Sequence, residues 1–150
     1  MSHLRLRKCL SGPIEAPTWP AGIRPVELAA TEPRQAHAVL DEAFPGLVAP
    51  FADWHGNLTA DSEYDPSLCV AAMADGGEIA GFIQCWTSDF IKDLAVAPGF
   101  RGRGIGAALL AHAFGLFAGR GAGHVDLKVE PDNAPARRLY ARLGMVEITD

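Results

Sequence analysis

Apolar and polar positions along the chain alternate between two periods, and each change of period marks an element. Ile23–Leu28 reads as a first strand, with Pro25 suiting an edge or a bulge. Ala36, Val39, Leu40 and Ala43 recur at helical spacing. They predict a helix capped by Thr31, with Pro33 in its first turn, running to about Phe44. Phe51–Thr59 gives a weaker second helix. Leu68–Ala74 is an apolar strand, Asp75-Gly76-Gly77 a turn and Glu78–Thr87 the next strand, so a hairpin is predicted. Ser88-Asp89 turns the chain again into a strand over Phe90–Val96. Ile105–Arg120 is apolar almost all round, which predicts a largely buried helix ended by Gly121 and Gly123. Val125, Leu127 and Val129 share one face of a strand over His124–Val129. A final helix, capped by Asp132 or Asn133, carries the stripe Ala136, Leu139, Tyr140 and Leu143, with Arg137, Arg138 and Arg142 outside. Gly144 ends it, and a last strand begins over Met145–Ile148.

The order β-α-α-β-β-β-α-β-α-β joins an antiparallel, hairpin-built part to a βαβ unit. The expected class is α/β, with a mixed, mostly antiparallel sheet and helices on both faces. Residues 1–20, interrupted by Pro13, Pro17 and Pro20, read as an irregular arm. Leu4, Leu6 and Leu10 alternate loosely with basic residues there, which leaves room for a short strand. Residues 21–150 read as a single domain, long enough for a real core. No apolar run approaches the length of a membrane span. Residues 1–10 lack the apolar core and cleavage site of a secretory leader. Cys9, Cys69 and Cys85 form no CxxC pair and cannot all pair with one another, so free thiols in a reducing cytoplasm are expected. A net charge of −5 argues against general nucleic-acid binding. The charge is uneven: Asp41 to Asp65 holds six acidic residues and no Lys or Arg, either a solvated face or a rim that attracts a cation.

Chemistry concentrates where the strand ending at Val96 passes through a glycine-rich loop into the helix opening at Ile105. Such a junction gathers backbone N–H groups at the positive end of a helix dipole and suits a phosphate or pyrophosphate. Glycine at 102, 104 and 106 lets a ligand approach the backbone, and Arg101 and Arg103 add charge to the rim. Gly102-Arg103-Gly104-Ile105-Gly106-Ala107 formally fits the dinucleotide fingerprint GxGxxA. That match begins about five residues beyond its strand, however, and only one helix–strand pair follows. A P-loop is excluded because no GK[ST] follows. The five histidines show no ligand spacing, so no metal is expected, and there is no GxSxG nucleophile turn. Asp53-Trp54-His55 reads either as a surface helix or as part of a substrate pocket.

Arg101-x-x-Gly104-x-Gly106, preceded by Leu94-Ala95-Val96-x-Pro98, resembles the first signature of the GCN5-related N-acetyltransferase family. Leu127-x-Val129-x-x-x-Asn133-x-x-Ala136-x-x-Leu139-Tyr140-x-x-x-Gly144-Met145 resembles the second, in the right order and on the right elements. Met145 stands where Phe is commoner. The likeness covers roughly residues 68–148 closely and the first third in element order. Trp19-Pro20-x-Gly22-Ile23 and Asp65-Pro66-x-Leu68 are similar to acetyltransferases of the mycothiol-synthase type.

The resemblance implies acetyl transfer from acetyl-CoA to a primary amine by direct attack. It places the pyrophosphate on Arg101, Gly102, Arg103, Gly104, Ile105, Gly106 and Ala107. It lays the pantetheine arm along Leu94, Ala95 and Val96, with a backbone N–H near Val96 polarising the thioester. Asn133 would contact the arm or cap its helix. Tyr140 would protonate the departing sulfur. Asp93, or alternatively Asp89 or Glu130, would receive the amine's proton or orient the amine. A non-catalytic acyl-CoA-binding module and a dinucleotide-binding oxidoreductase stand as alternatives. The resemblance is compatible with homodimerisation. The family usually has a seventh strand, whereas this sequence ends as its sixth predicted strand begins. The missing strand is either absent or supplied by the N-terminal arm or by a partner subunit.

Overall fold

The computed structural model describes residues 3–149. Its elements follow the order β1 (Leu4–Cys9), β2 (Ile23–Glu27), α1 (Pro33–Ala43), α2 (Phe51–Ala60), β3 (Tyr64–Ala74), β4 (Ile79–Trp86), β5 (Phe90–Val96), α3 (Ile105–Gly119), β6 (His124–Val129), α4 (Ala134–Arg142) and β7 (Val146–Ile148). The strands form one sheet in the order β2-β3-β4-β5-β6-β1-β7. Every pairing is antiparallel except β5 with β6.

The alternation of the strands divides the core between the two sheet faces. One face packs Ile83, Ile91, Val125 and Leu127 against Leu109, Leu110, Phe114 and Phe117 of α3. The other packs Phe82, Cys69, Ala71 and Ala95 against Ala36, Val39 and Leu40 of α1. The all-round apolar α3 is buried as its composition demands. α1 begins one residue later than expected: Glu32 is its cap, its carboxylate accepting from Arg34 N–H. The Thr31 hydroxyl instead donates to Leu28 O and closes a short 3-10 turn.

The N-terminal arm corrects the sequence expectation. Residues 4–9 are not irregular: they form β1, inserted between β6 and β7 and antiparallel to both. The arm therefore supplies the seventh strand. Leu4 and Leu6 turn to the α3 face of the core. On the opposite face Arg5 and Arg7 clamp Asp126, which is only 1% exposed, at 2.9 and 2.8 Å. Burial alone would raise the Asp126 carboxyl, but the hydrogen bonds and charges of Arg7 and Arg5 outweigh it and hold it low. The local pattern underdetermines this strand because its partners lie about 120 residues away.

Two irregularities position the site. Gln84 pairs with Asp93 while the next residue, Cys85, pairs with Ile91, so Lys92 is the extra residue of a β-bulge. The bulge brings Lys92 and Asp93 to the same side of the sheet, facing α1 and α2. It also restores Leu94 and Val96 to the α3 face. The second irregularity is a splay. β5 pairs with β6 only at Phe90 and Ile91, after which the two strands diverge.

Candidate active site

The splay leaves one edge of β5 unpaired beyond Ile91. Ala97 N–H donates to Ala80 O at 2.8 Å, toward β4. Backbone groups alternate in direction along a strand. Leu94 and Val96 therefore turn their N–H groups into the opening, at the two strand positions expected to meet the pantetheine arm.

The opening leads to the loop before α3. Gly102 and Gly104 hold φ of +79° and +84°, a left-handed backbone that side-chain-bearing residues rarely adopt. Nothing stands within 4 Å of a Cβ built on either, so the space above them is free. Gly104 caps α3 without any side-chain hydrogen bond. The first intrahelical bond is Ala108 N–H to Gly104 O at 3.0 Å, which leaves the N–H groups of Ile105, Gly106 and Ala107 without helical acceptors. These donors, at a helix N-terminus beside two arginines, fit a pyrophosphate. The arginines are less free than the sequence suggests. Arg101 donates to Val96 O at 3.1 Å and pairs with Glu42 at 2.8 Å. Arg103 donates to Gly99 O and lies over the Phe100 ring. The backbone nest, rather than a guanidinium, is thus the main unfilled donor set.

α4 closes the other wall. Its Leu139 side chain lies 3.4 Å from a Cβ built on Gly106, so the start of α3 and α4 pack closely. Asn133 caps α4, its Oδ1 accepting from Ala136 N–H at 3.3 Å. Tyr140 packs on the same core as Leu94 and Val96. Burial, reinforced by the charge of Asp93, pushes its phenol up to about 12. Tyr140 and Asp93 lie on opposite faces of the sheet, Tyr140 on the α3 side and Asp93 on the α1 and α2 side. The phenol is protonated at neutral pH and can donate to a departing sulfur.

On the α1 and α2 side Asp93 lines a cavity of about 440 Å³. Leu40, Phe44, Leu47, Trp54 and Leu58 form its apolar walls, and Gln84, Trp86 and Lys92 its sheet floor. Asp61 brings part of the acidic Asp41–Asp65 segment to the lining. Of Asp53-Trp54-His55, only Trp54 reaches this cavity. The alternative bases do not converge on it. Asp89 sits in the β4–β5 turn with φ +62°, and Glu130 lies near His3 at 3.8 Å. Gln84, Trp86 and Asp61 belong to no motif in the sequence. One signal is readable: two consecutive polar residues, Lys92-Asp93, interrupt the otherwise apolar run Phe90–Val96, and the bulge falls there.

The sheet's single parallel pair, among the described residues, does not form the parallel βαβαβ unit that a dinucleotide site requires. Among the same residues no group of His, Cys, Asp and Glu is placed to hold a metal ion, and no helix is long and apolar enough to cross a membrane.

Comparison with known proteins agrees with this geometry. Residues 30–145 match the model of the Acetyltransferase (GNAT) family. Streptothricin acetyltransferase of Streptomyces lavendulae is 41% identical over 68% of this chain and 58% of its own length. Mycothiol acetyltransferase of Clavibacter michiganensis is 41% identical over 55% of this chain and 28% of its own. A GCN5-related N-acetyltransferase from Sphaerobacter thermophilus superposes with a TM-score of 0.83 at 29% identity, over 98% of this chain and 49% of that one. The chain therefore spans less than two thirds of each of these relatives. The match runs through the nest, the splayed strand and the helix carrying Tyr140, so the chain belongs to the acetyltransferase (GNAT) family.

Proposed function

We propose that this protein transfers an acetyl group from acetyl-CoA to a primary amine. The observation that carries the reading is a combination of three features around β5: its free edge at Leu94 and Val96, the Tyr140 side chain packed on the same core as those residues, and the cavity bearing Asp93 on the other face. When bound, acetyl-CoA supplies the acetyl group as a thioester. The N–H groups of Ile105, Gly106 and Ala107 hold its pyrophosphate, and Leu94 and Val96 align the pantetheine amides as an added strand would. Val96 N–H polarises the carbonyl. Asp93 takes the ammonium proton of the acceptor, directly or through water, and frees the lone pair that forms the new C–N bond. As the C–S bond breaks, Tyr140 donates its proton to sulfur, and the nitrogen gives up its second proton, which restores the phenol, to leave a neutral amide. Holding both substrates across the splay supplies much of the acceleration. The unpaired thiols of Cys69 and Cys85 fit a reducing compartment such as the cytoplasm.

Calorimetric titration with acetyl-CoA, followed by assay of thiol release with a panel of amines, tests the reading. Micromolar binding and amine-dependent release of CoA are expected. Tyr140→Phe should lower kcat by about 100-fold while leaving acetyl-CoA affinity unchanged. Unchanged turnover would remove Tyr140 from the reaction. Binding without turnover on any amine would favour a non-catalytic acyl-CoA module.

A further inference from the structure

The cavity floor holds an unsatisfied donor. Gln84, on β4, is 2% exposed, and its side-chain Nε2 is buried without a hydrogen-bond partner. An amide so placed is costly unless something arrives to accept from it. Gln84 lines the same cavity as Asp93 and is its direct cross-strand partner. Cross-strand partners on one face stand about 5 Å apart at Cβ, so groups held by these two side chains must be close together on one molecule. Trp54 and Phe44 of the wall and Trp86 of the floor supply an apolar surface for the rest of it.

Resting on the proposed acetyl transfer, we infer that Gln84 selects the acceptor: its Nε2 donates to a carbonyl-type oxygen a few bonds from the amine that Asp93 receives. The preferred acceptors are therefore α- or β-amino acyl compounds with an apolar side chain, rather than plain alkylamines. A site built to donate a hydrogen bond rejects a molecule that lacks the acceptor, because the donor is then left buried and unpaired.

The test compares phenylalaninamide with 2-phenylethylamine, which share ring and amine and differ in the carboxamide. The ratio of their kcat/KM values is measured for wild type and for Gln84→Leu. Amine basicity cancels between the two proteins, so a fall of about 10-fold or more in the ratio is expected, with acetyl-CoA affinity unchanged. Loss of a buried unpaired amide should leave the melting temperature equal or higher. Gln84→Met serves the same comparison if the leucine variant does not fold. A ratio that does not move overturns the inference, as does a protein that binds acetyl-CoA and acetylates neither amine. Failure of the wild type to bind acetyl-CoA overturns the proposed function itself.

Discussion

Cys69 and Cys85 lie inside the sheet. Burial pushes the Cys69 thiol up to about 11, and that of Cys85 well above its usual range. Cys9 is exposed at the end of β1, and hydrogen bonding to Ser11 lowers its pKa. Thiolate, not thiol, is the reactive form. A colorimetric thiol reagent at pH 8 should therefore react at once with a single group in the native protein, and with all three after denaturation. Fast reaction of a second thiol in the native state would contradict the packing around β3 and β4. The same contrast of environments governs Tyr140, whose chemistry comes from its surroundings. On its helix it occupies an apolar stripe, and burial first, then the charge of Asp93, raise its phenol further above neutral pH.

β1 shows how an element with a weak local signal becomes structural. Without it β6 would lose six paired positions and β7 the partner strand it has among the described residues. Asp126 anchors it through Arg5 and Arg7, which are themselves about one third exposed. Asp126→Ala should destabilise the fold by about 2 kcal/mol, below the roughly 3–5 kcal/mol of a fully buried ion pair because the arginines can still reach water. Chemical denaturation checks this. The Asp126 carboxyl lies below its ordinary value in the folded state, so the unfolded chain takes up the proton first as the pH falls. The stabilisation is thus fully present above about pH 5 and is lost as acidity passes through the folded value. The wild type should lose its advantage over Asp126→Ala across that range. A difference that stays constant from pH 7 to pH 2 would show that the clamp does not set the stability.

At the level of the whole molecule, the nest and the free β5 edge exist only in the folded chain, so a ligand that uses both must stabilise it. Acetyl-CoA at about 100 times its Kd should add about 2.7 kcal/mol, which for a domain of this size raises Tm by roughly 5–10 °C. Gly104→Val should abolish the shift. Its Cβ would meet no protein atom within 4 Å, but the left-handed φ of +84° strains it and its side chain occupies the phosphate's space. A full shift in that variant would place the ligand elsewhere. The sequence by itself determined most of the elements, the mixed sheet and the nest, because periodicity, glycine positions and caps act within a few residues. The strands over Phe90–Val96 and His124–Val129 have the bounds expected, and Asn133 caps α4 as one of the two expected candidates. Only the tertiary structure decided that residues 4–9 complete the sheet, that β5 bulges at Lys92 and parts from β6 after Ile91, and that Gln84 faces the cavity beside Asp93. Each depends on pairing between distant segments. Such pairing is governed by register, charge complementarity and packing volume, none of which is encoded in a local stretch of chain.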